Sequence, residues 1–199
     1  MPTGPAIPSL LLVPDDGNAD YASLNAIATA YAHSGLMLNG HAEKSGHLEF
    51  TFPAMVCSSF ALELFMKFFL TLANADDPGA APADRRGHKL SALWQRLKPE
   101  HQDLIAGMHQ NPTDQPLTTA LDRRKELFLE ALEDVGESPF VKWRYIHEVA
   151  EPTLMSHGAI LKVLDALGHA AEHVMKGRRA AAAVVASASP CGSAAPDPA

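Results

Sequence analysis

The run from Phe52 to about Ala75 constrains this chain more than any other feature, because it is apolar on nearly every side yet holds Glu63 and Lys67. Its length would let it span a bilayer. Charged residues near the centre of a membrane helix each cost about 2.5–3.5 kcal/mol, so the pair offsets most of the gain from the surrounding Phe and Leu. The run therefore reads as the central helix of a soluble bundle, with Pro53 in the first turn, where a missing N–H is tolerated. Glu placed four residues before Lys is the favourable order on a helix, worth about 0.2–0.5 kcal/mol when exposed. Ser59, Glu63 and Lys67 recur at four-residue steps and so form one narrow polar stripe.

The remaining chain reads as further helices around this one, with no convincing strand. A length of 199 residues suits one domain with tails. A first helix is expected from an N-cap at Asp20 to about Leu38, with Gly40 as its stop. After the Pro/Gly/Ala-rich stretch 76–87, a short helix covers about His88 to Leu97 and another about Glu100 to His109, with Pro99 between them. A fifth runs from about Thr119 to Val135, closed by Gly136. The last is the clearest by periodicity: Ile160, Leu164, Leu167, Ala171 and Val174 share one face, and Gly177 is expected to end it. That regular apolar face motivates the expectation of a homodimer.

The net charge of −7 argues against a broad nucleic-acid-coating surface but leaves room for a small basic site. Arg85/Arg86, Arg123/Arg124/Lys125 and Lys142/Arg144 are local clusters of that kind, although each also fits a solvated helix face. Cys57 and Cys191 make neither a disulfide framework nor a zinc ribbon. The N-terminus has prolines and no basic n-region, so it does not read as a secretory signal. No membrane association is expected, and the cytoplasm is the expected location.

Three segments, taken together, carry a family resemblance. They are Phe60-Ala-Leu-Glu-Leu-Phe-Met-Lys-Phe-Phe-Leu70, Arg86-Gly-His-Lys-Leu90 with the short helix after it, and Phe140-Val-Lys-Trp-Arg-Tyr-Ile-His-Glu148 ahead of the long last helix. In this order, over about residues 20–176, the chain resembles the HEPN domain family of prokaryotic toxin–antitoxin, abortive-infection and nucleotidyltransferase-associated proteins. The resemblance implies a bundle of four or more helices, often a homodimer, and in many members metal-independent cleavage of RNA. Catalytic members carry Arg and His separated by four to six residues near the start of a late helix. The His acts as acid or base on a ribose hydroxyl, and the Arg stabilises charge on the phosphorane. The nearest match in place is Arg144-Tyr-Ile-His147, with only two residues between; on a continuous helix the two would still share a face.

Other candidates are weaker. Arg96 and His101 have the family's spacing, but Pro99 interrupts them. His169-Ala-Ala-Glu-His173 has the pattern of a zinc-peptidase helix, yet a catalytic zinc needs a third protein ligand, and after Lys176 only Asp197 offers a carboxylate. No metal or cofactor is expected. Glu63, Lys67, His88 and Glu148 form the candidate binding or structural polar cluster, with Arg144 as a neighbour in the functional reading, and the plainer reading of the stripe is a solvated seam or a buried structural pair.

The sequence thus predicts an all-α protein, a compact bundle of about five to six helices around residues 52–75. It divides into a flexible N-terminal segment (1–17), a HEPN-like domain (18–178) and a disordered Ala/Ser/Pro tail (179–199). The expected role is a binding or dimerisation domain for RNA, a nucleotide, or a toxin–antitoxin or defence partner encoded nearby. The alternative is a metal-independent endoribonuclease using Arg144 and His147.

Overall fold

In a computed structural model, residues 20–79, 83–109, 121–148 and 156–188 are described. The expectations for 1–17 and 189–199 lie outside them. The fold is all-α, as expected. Its helices are α1 (Tyr21–Ser45), α2 (Thr51–Asp76), α3 (Leu90–Gln95), α4 (Pro99–Met108), α5 (Leu121–Val135), α6 (Pro139–Arg144) and α7 (His157–Ala188). Pro139–Arg144 forms a short helix of its own ahead of the long last one.

The α2 helix is the centre of the bundle. Leu62, Met66, Phe68, Phe69 and Leu70 are all fully enclosed, and α1, α3, α6 and α7 pack around it. By length and composition the segment Leu48–Asp76 could cross a membrane, but 78% of its most apolar window is buried inside the protein. Helix α1 runs antiparallel to α2, since Tyr31 meets Phe60 at 4.7 Å, His41 meets Phe50 at 4.5 Å and Tyr21 meets Phe68 at 6.4 Å between ring centroids. The two backbones come close at Gly35, where an added Cβ would lie 3.1 Å from both Ala54 O and Ser58 N. Helix α7 runs parallel to α2, with His157 beside Ser58 at one end and Arg178 bonded to Asp76 at the other.

Several helix ends differ from expectation, each for a local reason. Asp20 caps α1 as expected, accepting from the N–H groups of Ala22 and Ser23 at 3.0 and 3.2 Å. Gly40 does not stop the helix, because packing continues to the buried Ala42. The stop is Gly46, whose φ of 73° is the left-handed conformation that glycine adopts without steric cost, and whose N–H donates to Ala42 O. Gly177 does not end α7 either. Arg178, the next residue, is held by Asp76 and lies over the Tyr21 ring at 4.9 Å, and the run Ala180–Ala183 has the strongest intrinsic helix preference. The first ten residues of the expected disordered tail, 179–188, are therefore helical.

The apolar face of α7 that motivated a dimer is already used. Ile160, Leu164, Leu167 and Ala171 are buried in the protomer's own core, and Val174 packs against it.

Candidate functional site

The polar stripe on α2 converges on Glu63, whose side chain is only 2% exposed. One carboxylate oxygen accepts from Lys67 Nζ at 2.7 Å, a bond set by the four-residue helical step. His88 Nδ1 lies 2.9 Å from one Glu63 oxygen and 3.0 Å from the other, which fits a ring N–H donated to the carboxylate. His88 itself is half exposed. Burying a carboxylate is costly unless it is paired and hydrogen-bonded, and these two partners satisfy Glu63 in an otherwise apolar helix.

The backbone just after His88 is fixed to another part of the chain. The Leu90 N–H donates to Glu137 O at 2.7 Å, and Lys89 pairs with Glu137 at 2.8 Å. This brings the start of α3 against the turn between α5 and α6. Phe140, in the first turn of α6, stacks on Phe60 at 4.4 Å and lies 6.5 Å from the His88 ring. The three segments that carried the resemblance therefore meet at one place.

Two residues outside the expected set extend this cluster. Thr71 donates its hydroxyl to Lys67 O at 2.8 Å, and Arg85 donates to the same hydroxyl at 3.2 Å. Thr71 stands four residues beyond Lys67, so continuing the Ser59-Glu63-Lys67 period would have found it. Ser59 begins the stripe, but its buried hydroxyl has no hydrogen-bond partner among the described residues.

Arg144, His147 and Glu148 lie elsewhere. Helix α6 ends at Arg144, Tyr145 leaves the helical conformation with φ −113° and ψ 28°, and Ile146–Glu148 form a separate 3-10 turn. The face that Arg144 and His147 would share on a continuous helix is therefore lost. Arg144 lies over the Tyr145 ring at 5.2 Å, and His147 Nε2 is 3.5 Å from a Glu148 oxygen. All three side chains are exposed. Glu148 consequently pairs with its neighbour and not with the Glu63 cluster, and no hydrogen bond links Arg144 to that cluster among the described residues.

The remaining candidates are also locally occupied. His101 is buried beside Phe69 at 5.3 Å, and burial lowers its pKa below the usual imidazole value. Burial likewise lowers His109 and His157, and it raises the Cys57 thiol, which disfavours the nucleophilic thiolate. His169 Nδ1 sits 3.3 Å from Asp165. No group of three His, Cys, Asp or Glu side chains placed to hold a metal occurs among the described residues. Arg123 pairs with Glu126 and Glu130, Lys125 with Asp103, and Arg86 with Asp84.

Comparison with family models, with curated proteins and with solved structures returned no match to this chain.

Proposed function

We propose that this chain is a HEPN-like helical domain that works as a binding and dimerisation module, in the cytoplasm, with RNA, a nucleotide or a partner protein encoded nearby as its target. The observation that carries this reading is the convergence of the three segments of the resemblance. Glu63 and Lys67 come from α2, His88 from the Gly87-His88-Lys89-Leu90 stretch, and Phe140 from the segment before the last helix. Segments far apart in sequence that meet around one buried carboxylate are what a shared architecture requires. Burial of Glu63 favours a role in fixing the bundle.

The ribonuclease alternative rests on Arg144 and His147. They are on the surface and 3-10 geometry follows the helix end, so their cooperation on one phosphodiester would need rearrangement of that segment. The test is incubation of the purified chain with RNA in EDTA, beside Arg144→Ala and His147→Ala. The binding reading expects no cleavage by any of the three, with RNA or nucleotide binding by the wild type in a filter or polarisation assay. Cleavage by the wild type that both variants lose would replace it with the enzyme reading.

A further inference from the structure

The stretch 83–88 lies back along α2, and three contacts fix its register. The Ala83 N–H donates to Asn74 Oδ1 at 2.8 Å, Arg85 Nη1 donates to Thr71 Oγ1 at 3.2 Å, and His88 meets Glu63. Residue numbers rise along this stretch as they fall along α2, so the two run antiparallel. Lys67 stands on α2 between Thr71 and Glu63, one turn from each. It therefore lies between the points at which Arg85 and His88 are held. At Gly87, between those two residues, φ is 93° and nothing lies within 4 Å of an added Cβ, so no neighbour crowds the stretch there.

The charges along this seam do not balance. Arg86 and Arg96 pair with Asp84, and Lys89 pairs with Glu137. Arg85 is partly buried, bonds a neutral hydroxyl, and has no carboxylate within ion-pair distance among the described residues. Lys67, 20% exposed, shares the single carboxylate of Glu63 with His88. Two permanent cations thus face one carboxylate, and a third charge joins them whenever His88 is protonated. Cations drawn out of water without a counter-charge are costly, so a seam of this kind favours an anion. A guanidinium offers a planar fork of donors and an ammonium a compact charge, and together they suit phosphate oxygens. His88 Nε2 has no hydrogen-bond partner among the described residues and can share a proton with such an oxygen.

We propose that this seam binds a terminal phosphate group, with Arg85 as its principal partner, Lys67 beside it and His88 at its mouth. The proposal rests on the RNA or nucleotide part of the reading above and names the group recognised. A terminal monoester fits better than a phosphodiester inside a chain. It carries about two negative charges near neutral pH. It also needs room for a covalent link on one side only, where the seam meets solvent at the half-exposed His88.

The test is thermal melting of the full chain at constant ionic strength, with inorganic phosphate, adenosine monophosphate, adenosine or acetate raised to about 20 mM. Phosphate and the nucleotide are expected to raise the midpoint, and adenosine and acetate are not. Arg85→Gln should weaken phosphate and nucleotide binding about tenfold or more, the loss expected when a hydrogen bond between charged groups is removed. Arg86→Gln, at a side chain 93% exposed and paired with Asp84, should leave binding unchanged. A wild type unmoved by both phosphate and nucleotide, equal shifts with acetate, or equal losses in the two variants would each overturn the site. A shift with the nucleotide alone, absent with adenosine and lost in Arg85→Gln, supports the site and assigns the phosphate to a nucleotide. Short oligoribonucleotides with and without a 5′-phosphate supply the other arm. Preference for the phosphorylated end that Arg85→Gln abolishes supports the site and assigns it to an RNA terminus. RNA bound equally with either end, and equally by Arg85→Gln, would overturn this site yet keep the RNA reading. Should circular dichroism show Arg85→Gln unfolded, Arg85→Lys decides, because it keeps the charge but not the fork. Weaker phosphate binding by that variant supports the proposal, and unchanged binding overturns it.

Discussion

Two glycines of α1 give the sharpest test of how this bundle is packed, because one substitution should have opposite signs at sites five residues apart. In a helix interior, alanine is favoured over glycine by about 0.5–1 kcal/mol. At Gly40 an added Cβ meets nothing within 4 Å, so Gly40→Ala should keep that gain. At Gly35 the same methyl would overlap Ser58 Oγ and lie 3.1 Å from two backbone atoms of α2. Overpacking of this kind costs about 1–3 kcal/mol, which outweighs the helix gain and leaves a net loss of about 1–2 kcal/mol. In a domain of this size 1 kcal/mol moves Tm by about 2–4 °C. Gly35→Ala should thus melt about 2–8 °C lower and Gly40→Ala about 1–4 °C higher, with matching shifts in the urea midpoint. Removing the offending oxygen supplies a control: Gly35→Ala/Ser58→Ala should recover much of the loss, since Ser58 gives up only a 3.4 Å contact to His157. A Gly35→Ala protein as stable as the wild type would refute the close α1–α2 approach.

Glu63→Gln keeps the side chain's shape but leaves the mostly buried Lys67 ammonium without a carboxylate; it should cost about 2–3 kcal/mol, less than a fully enclosed pair because His88 is half exposed. Glu148→Gln, on the surface, should change stability by under about 0.5 kcal/mol, and equal losses in urea titrations of the two would refute a central role for Glu63. The pH dependence has a definite sign. Burial lowers the folded-state pKa of His101, so the unfolded chain takes up more protons in acid, and the contribution is whole above about pH 6.5 and lost as pH falls through the lowered value. Urea midpoints at pH 8, 7, 6 and 5 should therefore fall towards acid, and His101→Leu should flatten part of that fall, the rest belonging to His109 and His157. A variant curve parallel to the wild type would count against His101.

Composition and periodicity were enough to place the all-α class, the central helix, the Asp20 cap and the Glu63–Lys67 pair, because all of these depend on neighbours one helical turn away. Helix ends were less legible. Gly40, Gly46 and Gly177 look alike in sequence, and only the packing of Ala42 and the anchoring of Arg178 determine that the chain stops at Gly46 alone.

What remained for the tertiary structure was everything that depends on distance across the chain. The apolar stripe Ile160–Val174 was readable, but whether it faces the protomer's core or a partner was not, since both bury the same side chains from water. The polar stripe was readable, but its partner was not. His88 reaches Glu63 where the Leu90–Glu137 bond ties the start of α3 to the turn before α6. The charge pair in the apolar helix was local and therefore written in the sequence. The histidine that completes it came from twenty-five residues away, and only the fold could bring it there.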